Sequence, residues 1–250
     1  VAAVLSGGFR TMKTLGNYNN PVGLPLTLLR LDESFQAAVI EMGMEFKGDI
    51  DYLSSLTRPE IGIVTNIGTS HIENLGSQEG ILHAKLELVS HLGGPRHLFL
   101  NGDDPLLYSM KDQLEVVPEY FGRGAHNDCR LLAEPSRMGD GRLFVQAIYK
   151  NIYYQVALDT LGKHMAMNVL PAIMAGEIQQ GLSCYEATPH RLQRIAAEKL
   201  LIIDDTYNAS PTSMKSALDT LMELPGARKI AVLGDIMEMG DFSRAGHEEV

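Results

Sequence analysis

The chain has 250 residues, of which 45% are hydrophobic, enough to form a substantial core in one or two domains. Its formal charge of −10 and its lack of any Lys/Arg-rich run exclude a nucleic-acid-binding surface. Its two cysteines lack CxxC spacing, which excludes a disulfide framework and a zinc motif. With no apolar run of membrane-spanning length and no signal peptide at its start, we expect a cytoplasmic protein.

Short apolar runs typical of strands alternate with helical patterns along the chain. The predicted strands are 37–42, 61–67, 97–101, 200–205 and 229–235. Such runs, separated by helices, are typical of a sheet covered on both faces, so we predict an α/β fold with a mostly parallel sheet flanked by helices. Residues 136–159 alternate apolar and polar around an Asp-Gly turn, which predicts an added antiparallel hairpin region.

The first residues, VAAVLS, are typical of the end of a helix, and the last, GHEEV, of the beginning of another. We therefore interpret the chain as a fragment. Because proline is tolerated only in the first turn of a helix, Pro171 predicts a helix that begins near Asn168.

A domain boundary is predicted near 183–189, which gives a first domain of residues 1–186 and a second of 187–250. The second begins with a βαβ pattern in which helix 211–223 connects two strands, as at the start of a Rossmann-like domain.

Polar residues follow the predicted strands at the points where each strand ends. They are Glu41 with Gly43, Asn66 with His71, Asn101 with Asp103 and Asp104, and Asp204 with Asp205. In open parallel sheets ligands bind beyond the carboxyl ends of the strands, so these residues are candidates for a site. For Glu41 alone, a capping or ion-pairing role is an equal alternative.

A lysine falls on the apolar face of the helix predicted to begin near Ser77. Lys85 shares that face with Ile81, Leu88 and Leu92, at spacings of four, three and four residues. A buried ammonium must be paired, neutralised or chemically altered. Alternatively, the stem lies on the core and the head reaches water. The local sequence leaves both interpretations open.

Two further stretches have compositions that suit ligand binding. TLGNYNNPVGLP (14–25) clusters Asn and Gly, either as a turn-rich loop or as a lining for a polar ligand. GKHMAMN (162–168) leads into a helix N-terminus, where its His and Asn either cap the helix or contact a ligand. No GxxxxGK[ST] phosphate loop occurs in the sequence.

The motifs TLGNYNNPVGLPLTLL, AAVIEMGMEFKGDI, RPEIGIVTNIGTSHIENLGSQEGILHAKLEL, LNGDDP, HRLQRI, LIIDDTYNASPTSMKSAL and IAVLGDIMEMGDFS follow one another along nearly the whole chain. In this order they resemble the Mur ligases of bacterial cell-wall synthesis. The resemblance implies a central ATP-binding domain followed by part of a C-terminal domain, and an ATP-dependent ligase with Mg²⁺ as cofactor. Among the members it most resembles the one that adds D-alanyl-D-alanine to UDP-N-acetylmuramoyl-tripeptide, so we expect these substrates as partners, and a monomer.

The resemblance also implies roles for individual residues. Glu41 and His71 match magnesium ligands, and Lys85 matches the lysine that these enzymes carbamylate, so that the carbamate helps to hold the metal. The matches to substrate and nucleotide contacts are Thr14, Asn17, Asn19, Asn20, His164, Asn168, Arg191 and Asp205.

The sequence departs from the family pattern in four respects. The phosphate loop and the domain that holds the uridine nucleotide are missing upstream of VAAVLS, and the C-terminal domain stops after about its second strand. Met165 replaces the usual Asn, and the join before HRLQRI is short. We therefore expect the 250-residue chain alone to be inactive. The alternatives are a sibling amide ligase, such as the tripeptide-forming Mur ligase or folylpolyglutamate synthase, and a non-catalytic homologue that binds a nucleotide or a protein.

Overall fold

The computed structural model describes residues 1–176, 190–197, 200–224, 226 and 228–250. The α-helices are α1 (Ala2–Leu5), α2 (Gly23–Leu28), α3 (Asp49–Thr57), α4 (Ile72–Leu75), α5 (Gln78–Leu86), α6 (Pro105–Ser109), α7 (Met165–Ala175), α8 (Pro211–Glu223) and α9 (Ser243–Glu249), and Glu87–His91 and Gly240–Phe242 are 3-10 helices. The strands are β1 (Thr11–Lys13), β2 (Ala37–Val39), β3 (Ile61–Val64), β4 (His97–Asn101), β5 (Glu119–Gly122), β6 (Cys129–Leu131), β7 (Ser136–Arg137), β8 (Leu143–Tyr149), β9 (Ile152–Leu158), β10 (Gln193–Ala197) and β11 (Leu200–Asp204).

The main sheet joins a parallel part to an antiparallel part. Strands β3, β4, β5 and β6 pair in parallel, in that order. Strand β8 then pairs antiparallel with β6, β7 and β9. The α/β class and the antiparallel hairpin region are therefore confirmed. The β8–β9 turn uses Lys150 and Asn151, both with positive φ (49° and 64°), as in a two-residue hairpin turn.

Helices cover both faces of this sheet. On one face α7 packs on β5, β6 and β8 around Leu170, which is fully buried. On the other face, α3, α5 and α6 cover Leu98 and Leu100 of β4, and Leu107 of α6 belongs to the same cluster. All three leucines are at most 1% exposed. Two apolar faces explain why β3 and β4 have near-continuous apolar runs, as predicted.

The predicted strand at 37–42 forms only in its first half. Ala37–Val39 pairs in parallel with Thr11–Lys13, which the sequence pattern did not predict, and the pair is separate from the main sheet. Strands β5 and β6 were also missed, because neither has a long apolar run. These three missed strands, β1, β5 and β6, are three or four residues long and depend on their neighbours for backbone hydrogen bonds. Strand β10 (Gln193–Ala197) was missed as well.

The predicted start of helix α7 near Asn168 was wrong. The helix begins at Met165, so Pro171 lies beyond its first turn. Its first amides bond to carbonyl groups three residues back, as Met165 N does to Gly162 O at 3.1 Å. Pro171 is buried, and its chain neighbours Leu170 and Ala172 belong to the apolar cluster. We infer that the packing of this helix offsets the cost of proline inside a helix, roughly 3 kcal/mol.

The second predicted unit forms only in part. Strand β11 and helix α8 are present as predicted, but β11 pairs antiparallel with β10, and residues 229–235 form no strand in the described part of the chain. The predicted βαβ unit is therefore incomplete. Residues 229–235 are mostly exposed, with Val232 at 94%. A strand needs a partner for its backbone groups, and no described strand pairs with this segment.

The predicted domain boundary near 183–189, and with it the short join before HRLQRI, lies outside the described residues. Among the helices that are described, none has both the length and the apolar character to cross a bilayer.

Candidate active site

The polar loop after β1 is bound to the segment after β2. The Thr14 hydroxyl accepts a hydrogen bond from the Glu41 amide (2.9 Å), and Asn19 Nδ2 donates to Glu41 Oε1 (2.9 Å). Gly43 N donates to Asn19 O (2.8 Å), and a Cβ at Gly43 would come within 3.1 Å of the Asn19 amide group. The structure therefore brings together Thr14, Asn19 and Glu41, three of the predicted site residues.

The other two asparagines of this loop differ in their roles. Asn20 Oδ1 accepts from Val22 N (3.1 Å) and Gly23 N (2.8 Å), so this side chain organises the start of α2. Asn17 is exposed, and its carbonyl accepts from Asn19 N at 2.8 Å. Asn20 thus has a local structural use, whereas the Asn17 side chain faces solvent.

Lys85 lies on α5, as predicted, with its head directed at the loop after β3. Ser77 caps the helix by accepting from Gly80 N at 3.1 Å. The Lys85 side chain is half-buried beside the buried Ile81, and its Nζ donates to Asn66 O at 2.8 Å. Burial lowers the pKa of Lys85, and the nearby Asp104 carboxylate opposes that shift. The head is therefore bonded to the main chain in addition to lying near the surface.

His71 directly precedes α4, at its N-cap position, with a left-handed backbone (φ 62°). Its Nδ1 lies 2.6 Å from Oε2 of Glu238, an ion-pair distance, but this nitrogen is buried and makes no contact with hydrogen-bond geometry. Glu238, which also has positive φ (61°), belongs to the motif IMEMGD. The contact therefore joins the sheet domain, residues 1–176, to the C-terminal segment, residues 190–250.

The predicted metal ligands are not assembled into one cluster. Within the described residues, no group of three or more His, Cys, Asp and Glu side chains is placed to hold a metal, and no bond joins Glu41 to His71 or Lys85. The exposed carboxylate of Glu41 keeps Oε2 without a hydrogen bond in this part of the chain. Such a sparse oxygen donor set suits Mg²⁺, which usually keeps several waters and takes few protein ligands.

The predicted adenine motif lies at the start of α7. His164 precedes the helix, and Asn168 Nδ2 donates to the Met165 sulfur at 3.6 Å. The thioether that replaces the usual Asn is therefore a weak acceptor for the retained Asn168 amide. Desolvation lowers the pKa of His164, although part of the side chain is exposed, and the Asp205 carboxylate opposes the shift.

Arg191 and Asp205 lie on two contacting loops of the second unit. The Arg191 guanidinium stacks over the Tyr207 ring at 4.3 Å from its centroid, and Leu192 N donates to Asp205 Oδ1 at 3.0 Å. A Cβ at Gly162 would lie 2.8 Å from His164 Nδ1 and 2.9 Å from Leu192 Cδ1. The start of α7 therefore lies close to the loop that bonds Asp205, although His164 and Asp205 belong to different predicted domains.

Sequence reasoning missed Glu238 and Tyr207. Both make their contacts with residues that are distant in sequence or on a neighbouring loop, so periodicity and strand-end position give no signal for them. A cavity of about 450 Å³ between Tyr108, Tyr120 and His126 contains none of the predicted site residues.

Two family models match the chain. The model of the Mur ligase middle domain matches residues 1–176, and that of the Mur ligase glutamate ligase domain matches residues 190–250.

Curated relatives match over the whole chain. The UDP-N-acetylmuramoyl-tripeptide–D-alanyl-D-alanine ligase of Bacillus subtilis is 41% identical over 100% of this chain and 55% of its own length. The ligase of the same name from Escherichia coli is 35% identical over 100% of this chain and 57% of its own length. The chain thus spans little more than half the length of these relatives.

Solved structures match in the same way. A crystal structure of MurF from Acinetobacter baumannii superposes with a TM-score of 0.91 at 30% identity, covering 99% of this chain and 56% of that one. MurF ligase from Thermotoga maritima in complex with ADP gives a TM-score of 0.89 at 26% identity, covering 99% of this chain and 58% of that one.

Proposed function

The chain belongs to the Mur ligase family, and from this premise we propose that it forms the central and C-terminal parts of an ATP-dependent ligase that joins D-alanyl-D-alanine to UDP-N-acetylmuramoyl-tripeptide. The relatives that carry this name support the proposal along the whole chain. The structural observation that carries it is Lys85, whose nitrogen is held 2.8 Å from Asn66 O at the carboxyl end of a parallel strand.

The proposed reaction makes an amide from two groups that do not react unaided. A carboxylate is inert towards amines, so an oxygen of the tripeptide carboxylate first takes the γ-phosphoryl group of ATP, and ADP leaves. The amine of D-alanyl-D-alanine then attacks the acyl carbon, loses a proton, and phosphate leaves with the C–O bond electrons. Stabilising charge on the phosphoryl oxygens is the main catalytic requirement of such transfers.

The residues of this chain would serve the reaction as a scaffold. We propose that Thr14, Asn17, Asn19 and Asn20 face the substrate, and that His164 and Asn168 lie at the adenine with Arg191 and Asp205 at the nucleotide. Glu41, His71 and the carbamate of Lys85 would hold Mg²⁺, which supplies charge neutralisation when it is bound. We also propose the two-domain division at residues 186 and 187 and, because ATP and uridine nucleotides are cytoplasmic metabolites, a cytoplasmic location.

Carbamylation of Lys85 changes the charge of this position. The lone pair of the neutral amine attacks carbon dioxide, an N–C bond forms, and one proton passes from nitrogen to water, which leaves an anionic carbamate. The lowered pKa of Lys85 supports the proposal, because only the neutral amine reacts.

The test uses the complete gene product and measures phosphate release with the tripeptide substrate and D-alanyl-D-alanine. We expect Lys85→Ala to lower kcat by about 10²-fold or more, with partial rescue by a small added carboxylate. The matched control is Lys111→Ala, which removes an exposed lysine stacked on Tyr108 and should keep full activity. Full activity of Lys85→Ala would contradict the proposed role of this lysine.

The same assay separates the alternatives. Activity with a single amino acid as the amine acceptor, glutamate included, and none with D-alanyl-D-alanine would indicate a sibling ligase. The Met165–Asn168 contact favours a second candidate, a homologue that binds nucleotide without turnover. ADP binding by the complete protein, with no phosphate release for any acceptor, would establish that candidate instead.

A further inference from the structure

One peptide unit in the loop after β3 is held on both sides. Asn66 O accepts from Lys85 Nζ at 2.8 Å, and Ile67 N donates to Asp104 Oδ2 at 2.6 Å. These two groups belong to the same planar peptide, so one cannot turn without the other. The position of the Asn66 carbonyl in front of Lys85 therefore depends on the bond that Asp104 makes.

Asp104 is itself fixed by a second set of bonds. Its other carboxylate oxygen, Oδ1, accepts from Leu106 N (3.0 Å) and Leu107 N (3.3 Å) as the N-cap of α6, with Pro105 at the first helical position. The carboxylate thus has one oxygen on the helix and one on the loop. It connects the loop after β3 to an element of the next strand-helix unit.

Neighbouring side chains hold the same short segment. Asn101 Nδ2 donates to Thr65 O at 2.9 Å, and Gln78 Nε2 donates to Ile67 O at 3.3 Å. Side chains from the end of β4 and from α5 thus fix backbone groups of residues 65–67. A group that takes part in a reaction must be held in position in this way, because a small displacement lowers the reaction rate strongly.

We propose that Asp104 is a positioning residue for Lys85. It sets the Asn66–Ile67 peptide so that the Asn66 carbonyl holds the lysine nitrogen at the carboxyl end of β3. Asp104 acts through this peptide, since no described hydrogen bond joins its side chain to Lys85. The proposal rests on the proposed function, since it takes Lys85 as the functional lysine.

The chain offers a matched control one residue away. Asp103 is also an aspartate of the same loop, but its carboxylate accepts from Arg123 N (2.6 Å), Gly124 N (3.1 Å) and Asn127 Nδ2 (3.0 Å). No described bond joins the Asp103 side chain to residues 65–67. Changes at Asp103 therefore alter the loop after β5 and leave the peptide in front of Lys85 in place.

The discriminating variant is Asp104→Ser in the complete gene product. Serine keeps an N-cap acceptor for α6 but has no second oxygen that reaches Ile67 N. We expect amide hydrogen exchange at Ile67 to rise about 10-fold or more. We also expect kcat to fall by about 10- to 100-fold with KM for the substrates little changed, because orientation is lost and binding is kept. Asp103→Asn should leave the exchange rate of the Ile67 amide at its native value, because the Asp103 side chain makes no described bond to residues 65–67.

The outcomes separate this proposal from the proposed function. Native exchange at Ile67, or native kcat with faster exchange, would overturn the positioning role and leave Asp104 as a helix cap. If Asp104→Ser does not fold, Asp104→Asn applies the same test. The asparagine side chain has only one oxygen, so it cannot accept hydrogen bonds from both the α6 amides and Ile67 N as the two carboxylate oxygens do. A wild-type protein without ligase activity would remove the proposed function. The amide hydrogen-exchange rate of Ile67 would then be compared among the wild type, Asp104→Ser and Lys85→Met. Faster exchange in the variants would support the proposed geometry, and wild-type rates in both variants would overturn it.

Discussion

The sheet domain, residues 1–176, and the C-terminal segment, residues 190–250, have similar predicted elements but differ in how these elements are buried. In the first, apolar strands lie in a sheet between two hydrophobic clusters. In the second, β10 and β11 form a two-stranded antiparallel pair, and apolar residues such as Leu200 (67%) and Val232 (94%) remain exposed. An apolar run therefore becomes a buried strand only where neighbours pair with it and cover it.

The two regions also differ in how they hold their candidate site residues. In the sheet domain, several hydrogen bonds fix the loop after β3, as those of Asn101 and Asp104 do for residues 65–67. Between the regions, side-chain contacts such as the Lys163–Glu223 ion pair and the His71–Glu238 contact make the connection. A site that needs both regions therefore depends on these contacts between them.

The largest difference is expected in amide hydrogen exchange. Strands β8 and β9 should open only on global unfolding, whereas β10 and β11 should open locally. We expect opening free energies to differ by roughly 4 kcal/mol or more, which is about a thousandfold in rate. Exchange followed by mass spectrometry on peptides from each pair measures this difference. Equal protection of the two pairs would show that the C-terminal segment unfolds together with the sheet domain.

A core substitution should give the next largest effect. Phe121 on β5 is 1% exposed in the cluster under α7. Phe121→Ala should lower the free energy of unfolding by about 3–5 kcal/mol, because it leaves a cavity. The control, Val232→Ala at a position 94% exposed, should change it by less than about 0.5 kcal/mol. Urea denaturation followed by circular dichroism compares them, and a large loss in Val232→Ala would mean that this residue is covered in solution.

Helix caps allow a smaller comparison with the same chemistry in both regions. Ser77 accepts from Gly80 N on α5, and Ser210 accepts from Ser213 N on α8 (3.2 Å). Each change to Ala should lower the stability of its helix by about 1 kcal/mol. Because α5 packs in the core, Ser77→Ala should lower global stability, whereas Ser210→Ala should mainly speed exchange within α8. Identical changes in global stability would contradict the difference between the regions.

The smallest effect is expected for an ion pair that joins the regions. Lys163 Nζ lies 2.8 Å from Glu223 Oε1, and both side chains are 42% exposed. A double-mutant cycle with Lys163→Ala and Glu223→Ala should give a coupling free energy of about 0.2–1 kcal/mol that falls at high salt. A coupling above about 2 kcal/mol would mean that the regions are joined more tightly than the exposure of this pair indicates.

Local patterns explain which predictions the structure confirmed. The helical position of Lys85 followed from the spacing of its apolar neighbours, and β4 coincided with the predicted strand because its apolar run is continuous. The wrong predictions concern elements that depend on distant partners. Helix α7 begins before Asn168 and keeps Pro171 buried in its interior, next to cluster residues Leu170 and Ala172. Residues 229–235 form no strand, and no described strand lies beside them to pair with.

The sequence by itself determined the α/β class, the helix that carries Lys85, the polar residues at strand ends and, by resemblance, the family. Only the tertiary structure decided which of those polar residues contact one another. It bound Glu41 to Thr14 and Asn19, set Asp104 on the peptide that faces Lys85, and brought Glu238 to His71. The physical reason is that periodicity records how a residue relates to its own element, whereas these contacts join elements 22 or more residues apart along the chain.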